Sequence, residues 1–202
     1  MVRTMGSAGA IKLAPQADPG EEGGSAASIR LAEGELRSRA HRIAFVLSDV
    51  DGVWTDAGVY YSDAGEVLKR FSVRDGMGVE RLRDVGVETG IVTGETSLAV
   101  LRRAEKLDLR FVFMGVKDKR AILPDLLRRA ALALEQLAYI GDDHNDLELL
   151  EVIGARGLTA APADAIPEVA RAAHFQTVRT GGHGAFRDFA EWILSLRERG
   201  DT

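Results

Sequence analysis

Three carboxylates crowd into the stretch Ser-Asp-Val-Asp-Gly-Val-Trp-Thr-Asp, residues 48–56, directly after the apolar run Ile-Ala-Phe-Val-Leu. Like charges that close repel unless a cation or a set of donors holds them together. Other polar groups follow apolar runs in the same way. Thr93 and Gly94 come after Val-Glu-Thr-Gly-Ile-Val, and Asp142 and Asp143 come after Leu-Ala-Tyr-Ile-Gly, with Lys119 between the two sets. Carboxylates, one hydroxyl and one lysine make a toolkit for phosphoryl transfer. One carboxylate attacks phosphorus, a divalent cation bridges carboxylate and phosphate, and a lysine neutralises further charge. A second acid, one residue beyond the nucleophile, can protonate the leaving oxygen and then activate the hydrolytic water. An Asp-x-Asp pair by itself also suits a glycosyltransferase metal site or a helix cap, so the reading rests on the whole ordered set.

The elements that must position these groups can be read from the chain between them. From residue 43 onward, short β-rich runs alternate with longer amphipathic stretches, the pattern of a parallel sheet with helices on both faces. Strands are predicted at Ile43 to Ser48, Val87 to Val92, Arg110 to Phe113, Leu137 to Ile140 and Gly157 to Ala160; helices are predicted over 76–85, 96–107, 118–134, 145–153 and 185–198. The aspartates and Thr93 then stand at C-terminal strand ends. One piece breaks the alternation: Val59-Tyr60-Tyr61, Ser-Asp-Ala-Gly, then Val67 to Ser72 read as a β-hairpin after strand one. The fold class is α/β, a Rossmann-like parallel sheet with that hairpin inserted. Such a hairpin overhangs the sheet edge where ligands bind, and is expected to line or shield the site.

The bulk properties narrow the function classes. The chain has 202 residues, 46% hydrophobic and 28% charged, which suits one soluble domain with a core. Residues 1–24, rich in Gly, Pro, Ala and acid, are expected to be a disordered tail, and 25–202 a single domain. Ile29, Leu31 and Leu36 are expected on a helix packed beside strand one. With 26 Lys and Arg against 31 Asp and Glu, the net charge of -5 gives no basic field for nucleic acid or an anionic membrane. The absence of cysteine leaves metal chemistry to carboxylates and histidines and favours a hard cation such as Mg²⁺. No apolar run approaches the ~20 residues of a membrane-spanning helix, and no secretory leader is visible, so a cytoplasmic location is expected.

The motifs Asp-Val-Asp-Gly-Val, Val-Thr-Gly, Lys119 and Gly-Asp-Asp-His-Asn-Asp, in this order over residues 43–198, resemble the haloacid dehalogenase superfamily of aspartyl-phosphate phosphohydrolases. Phe-Ser-Val-Arg-Asp-Gly-Met-Gly, Met-Gly-Val-Lys-Asp-Lys and Gly-Gly-His-Gly-Ala-Phe-Arg are similar to its small, cap-less branch. That branch contains 3-deoxy-D-manno-octulosonate 8-phosphate phosphatases and relatives acting on nine-carbon ulosonate 9-phosphates. The resemblance implies Asp49 as nucleophile and Asp51 as general acid and base. It implies Mg²⁺ held by the Asp49 carboxylate, the Asp51 carbonyl and Asp142, with Thr93 and Gly94 on phosphate and Lys119 as the fixed positive charge. Asp143 and Asp146 would orient metal waters or backbone. It also implies a homotetramer in which hairpins associate and one subunit completes its neighbour's site.

The implied substrate is a phosphorylated sugar acid, the 8-phosphate of a 3-deoxy-octulosonate, with a nine-carbon 9-phosphate as the alternative. Glu95 adjoins the phosphate loop, and Arg103 and Lys106 are neighbours on one helix face, placed to meet a sugar-acid carboxylate while Glu95 accepts hydroxyls. The competing reading makes all three part of a solvated helix face. His144 is expected at a helix start in solvent, His41 and His174 in structural roles, Trp54 in packing and Asp56 in a turn. Two rival functions remain: a phospho-acceptor receiver domain, disfavoured because the paired acids come last here, and an inactive subunit supporting a nucleotide-sugar transferase.

Overall fold

The computed structural model describes residues 31–198. The tail expected over 1–24 and the helical position of Ile29 lie outside them. Six parallel strands form the sheet in the order β5-β4-β1-β6-β7-β8: β1 Phe45–Ser48, β4 Glu88–Val92, β5 Phe111–Phe113, β6 Leu137–Ile140, β7 Leu158–Ala161 and β8 Phe175–Gln176. Every strand pairing in this sheet is parallel, and β1 lies between β4 and β6, with Ser48 opposite both Ile91 and Ile140. That register brings the ends of β1, β4 and β6 to one level.

Side-chain alternation along the strands builds two cores. Val46, Ile91, Ala138 and Ile140 face one layer, which α1 (Glu33–Arg42), α2 (Val73–Asp84), α3 (Leu98–Lys106) and α7 (Ala185–Glu198) cover through Ala40, Leu82, Val100 and Phe189. Phe45, Leu47, Leu137 and Tyr139 face the other, covered by α4 (Leu123–Ala130), α5 (Leu147–Gly154) and α6 (Pro167–Ala172) through Leu126, Leu150 and Val169. Each buried branched or aromatic side chain contributes about 1.5–3 kcal/mol. Burial on both faces explains why these strands read as continuous apolar runs.

Several boundaries differ from the sequence reading. The single helix expected over 118–134 is a 3₁₀ turn at Lys119–Ile122 followed by α4, which stops at Ala131 in the left-handed region with φ 54°. Asp118 caps the 3₁₀ turn by accepting from the Ala121 amide, and Pro124, with no amide hydrogen, fits only the first turn of a new helix. Helix α6 and strand β8 were not predicted, since six and two residues respectively give too little periodicity. Helix α1 packs chiefly on α7 and also reaches β7, with Arg39 Nη1 donating to the carbonyls of Gly154 and Gly157.

The inserted hairpin is present. Strands β2 (Tyr60–Ser62) and β3 (Gly65–Leu68) pair antiparallel and join no other strand. Gly65, at φ 108°, makes the turn that the Ser-Asp-Ala-Gly sequence promised.

Candidate active site

The parallel ladder extends one residue past β1, because the Asp49 amide donates to the Ile140 carbonyl at 2.9 Å. The chain then turns sharply, and the amides of Val53, Trp54 and Thr55 all point at the Val50 carbonyl. Trp54 Nε1 donates to Ser48 Oγ at 2.8 Å and its ring packs on Phe186, so Trp54 braces the turn from inside the core. Gly52 has φ 91°, and a Cβ there would lie 1.9 Å from Asp142 Oδ2. Glycine is therefore required twice over, for the turn and for the approach of the distant carboxylate.

Lys119 joins the strands at the centre. Its side chain is buried, and Nζ donates to Asp49 Oδ1 and to Asp146 Oδ1, both at 2.6 Å. Burial alone would lower its pKa, but the negative charges of Asp49 and Asp146 prevail and raise it, so it is an ammonium. Asp146 has no capacity left. Its Oδ1 also accepts from Tyr139 Oη, and its Oδ2 accepts from the amides of Asp142 and Asp143 at 3.0 and 3.2 Å. Gly141 makes room for that fold-back, since a Cβ there would meet Asp146 Cγ at 2.4 Å.

Asp49, Asp142 and Asp146 each offer an oxygen within 4.8 Å of the others. Since Asp146 is fully used, Asp49 and Asp142 are the two free to hold a cation. Asp142 Oδ1 is buried and has no protein partner. Burial, then the charge of Asp146, pushes the Asp142 carboxyl up to about 7. Burial, then Asp146, also drives Asp49 well above the ordinary carboxylate range, against the pull of Lys119. Two acids crowded at such cost, one with an orphaned oxygen, fit a divalent cation bound by oxygen ligands.

A cavity of about 350 Å³ opens on this centre, lined among others by Asp49, Asp51, Thr93, Gly94, Glu95 and Asp142. Thr93 follows β4, its hydroxyl accepting from the Glu95 amide at 3.1 Å and so shaping the Gly94 turn. Glu95 is exposed at the rim beside Lys117 at 3.5 Å. Asp143, also in the lining, accepts from the His144 amide at 2.6 Å and starts the following turn. Asp51 also lines the cavity, and its Oδ1 accepts from Lys69 Nζ at 2.6 Å and from Thr55 Oγ1 at 3.3 Å.

Arg103 and Lys106 do not line this cavity. Arg103 Nη2 donates to the Ser72 carbonyl at 2.9 Å, and its guanidinium lies 5.9 Å from the Phe71 ring centre. Lys106 is exposed. His144 is exposed at its turn, and His174 Nδ1 accepts from the Thr159 amide at 3.1 Å. Asp56 accepts from the Gly58 amide in a turn. Sequence reasoning missed Lys69 and Tyr139. The hairpin's expected place at the site was the only signal for Lys69, and Tyr139 was marked only by being the one polar tip in a buried strand.

The profile of the haloacid dehalogenase-like hydrolases matches residues 112–186. The 3-deoxy-D-manno-octulosonate 8-phosphate phosphatase KdsC of Haemophilus influenzae is 37% identical over 162 residues, 80% of this chain and 88% of that protein. The chain belongs to the haloacid dehalogenase-like hydrolases. Among solved structures, the cobalt-bound octulosonate 8-phosphate phosphatase from H. influenzae superposes with a TM-score of 0.75 at 36% identity, covering 81% of this chain and 96% of that one. The octulosonate 8-phosphate phosphatase from Moraxella catarrhalis, in complex with magnesium ion, phosphate ion and KDO molecule, gives 0.76 at 32% identity over 82% and 93%. Membership of the haloacid dehalogenase-like hydrolases sets aside the receiver-domain reading. It also gives the cluster of Asp49, Asp142, Lys119 and Thr93 a hydrolytic context.

Proposed function

We propose that the protein is a Mg²⁺-dependent phosphatase that hydrolyses the 8-phosphate monoester of 3-deoxy-D-manno-octulosonate through an aspartyl-phosphate. The observation that carries this reading is the convergence of Asp49 and Asp142 from adjacent strands, bound through Lys119 and Asp146 into one buried cluster. The names of the relatives support the substrate. Asp49, the Asp51 carbonyl and Asp142 would hold Mg²⁺, which when bound supplies positive charge to draw carboxylate and phosphate together.

Asp49 attacks phosphorus while the bond from phosphorus to the sugar oxygen breaks, and Asp51 gives that oxygen its proton. Asp51, now a carboxylate, takes a proton from water as the water oxygen displaces Asp49 and releases inorganic phosphate. Lys119 fixes one Asp49 oxygen and offsets charge in both steps. Thr93 and Gly94 supply donors to the phosphate. Asp143 and Asp146 keep the Asp142 loop in place.

The working form we propose is a cytoplasmic homotetramer, for which the exposed hairpin offers a surface of association. Because Arg103 and Lys106 do not line the cavity of their own subunit, contact with the sugar acid requires that a neighbour present them. Among the described residues no helix is long and apolar enough to cross a membrane.

The test measures phosphate release from octulosonate 8-phosphate, a nine-carbon ulosonate 9-phosphate and p-nitrophenyl phosphate. The highest kcat/KM is expected on the eight-carbon substrate, with loss of activity in excess EDTA. Asp49→Asn should lower kcat by about 10³-fold or more. Release from none of the three by the Mg²⁺-loaded protein would end the hydrolase reading, and preference for the nine-carbon ester would transfer it to that substrate.

A further inference from the structure

The hairpin delivers one side chain to a residue that lines the catalytic cavity. Lys69, the residue after β3, has a side chain only 2% exposed, although it belongs to an insertion whose strands are largely in solvent. Its Nζ donates to Asp51 Oδ1 at 2.6 Å and lies 3.4 Å from Glu66 Oε2. Glu66 Oε1 in turn accepts from Ser97 Oγ, at the start of α3 just beyond the Thr93-Gly94 turn. Asp51, which lines the cavity, therefore has two donors on Oδ1, Lys69 and Thr55, while its Oδ2 is buried without a protein partner.

We infer that Lys69 is a positioning residue for the proton-transfer step: it holds the Asp51 carboxyl in one orientation at the cavity wall, where the leaving group departs. This rests on the phosphatase reading above. A carboxyl on a short side chain rotates about its last torsion at little cost. Without an anchor, the carboxyl would spend much of its time turned away from the sugar oxygen. In the first step the proton passes from the Asp51 carboxyl to the sugar oxygen as the phosphorus–oxygen bond breaks and the Asp49–phosphorus bond forms. In the second, the same carboxyl takes a proton from the attacking water. Lys69 gives up no proton in either step; it holds the carboxyl and faces its negative charge between them. Glu66, tied to Ser97, holds Lys69 in turn, so the hairpin is coupled to the chemistry through a chain of side chains.

Leaving-group dependence separates positioning of an acid from a merely structural role. A sugar alkoxide needs a proton as it departs, whereas p-nitrophenolate leaves without one. The quantity to compare is kcat/KM, which reports the steps up to the first phosphoryl transfer. Lys69→Met should lower kcat/KM for octulosonate 8-phosphate by about 100-fold, and that for p-nitrophenyl phosphate by about tenfold less than this. Lys69→Arg, which keeps the charge, and Glu66→Gln, which removes only the support behind it, should show the same selective loss at smaller size. These two variants decide the matter if Lys69→Met fails to fold. Equal losses on both esters in the folded variants, or no loss, would overturn the inference while leaving the phosphatase reading intact. Absence of activity in the unmodified protein would instead strike at that reading.

Discussion

Asp146 shows how a buried carboxylate can serve a site without a free oxygen. It accepts from Lys119, Tyr139 and two backbone amides, so its charge is spent in holding the lysine and the Asp142 loop. Tyr139→Phe tests this arrangement, because the ring keeps its volume and only one donor to a charged acceptor disappears. Urea unfolding should show a loss of about 1.5–3 kcal/mol, the worth of a hydrogen bond to a charged group, with kcat reduced by less than about tenfold because three donors remain. A larger fall in kcat at unchanged stability would mean that the phenol acts on the chemistry directly. The contrast between Asp146 and Tyr139 also explains what sequence alone could reveal. Asp49 and Asp142 are charged residues at ends of apolar runs, where burial needs a reason, and they were legible on that ground, while Lys119 was legible through its place in the ordered set. Tyr139 sits inside a strand as an ordinary large apolar residue, and its hydroxyl finds its partner through a fold-back seven positions later that no local pattern encodes. Lys69 looked like one more charge on an exposed hairpin until packing buried it.

At the scale of elements, the hairpin stands apart from the rest. The main sheet was legible because strands buried on both faces leave apolar runs, and the hairpin because Ser-Asp-Ala-Gly is a turn sequence. The 118–134 segment was not, since its apolar period runs through a 3₁₀ turn, a proline and a left-handed residue without interruption. What the hairpin does follows from its exposure: Tyr60, Tyr61, Val67 and Leu68 are 54%, 72%, 58% and 48% exposed. A two-stranded ribbon is marginal by itself in water, and one this apolar invites a cover. Other copies of the chain are the cover we propose, arranged with the closed symmetry usual for oligomers. Tyr61→Asp combined with Val67→Asp should reduce the mass in multi-angle light scattering to that of one chain. Phosphatase activity should fall with it, because Lys69 follows directly on β3. A monomeric mass for the unmodified protein would remove the tetramer.

For the molecule as a whole, the acidic centre sets a conflict between stability and function that a cation resolves. Without metal, Asp142 titrates at about 7 in the fold, for reasons of burial and then of Asp146, against 3.8 for an ordinary aspartate. Between those two values the folded state retains a proton that the unfolded state has lost. The unfolded-minus-folded proton count is negative there, so the free energy of unfolding falls as pH rises from about 4 to about 7. The metal-free protein should thus be less stable at neutral than at mildly acidic pH, as far as this centre decides it. Bound Mg²⁺ takes the place of the proton and favours the ionised acids, so its effect should be greatest at neutral pH and fade on acidification. At a concentration 100 times its dissociation constant a cation stabilises by about 2.7 kcal/mol, which for a domain of this size raises Tm by about 5–10 °C. Asp142→Asn removes one of the crowded charges and a ligand together. The metal-free variant should therefore melt higher than the metal-free parent at neutral pH and respond little to Mg²⁺. Scanning calorimetry at several pH values with EDTA or Mg²⁺ decides it, and a parent whose Tm is indifferent to Mg²⁺ at neutral pH would show that Asp49 and Asp142 are held together by other means.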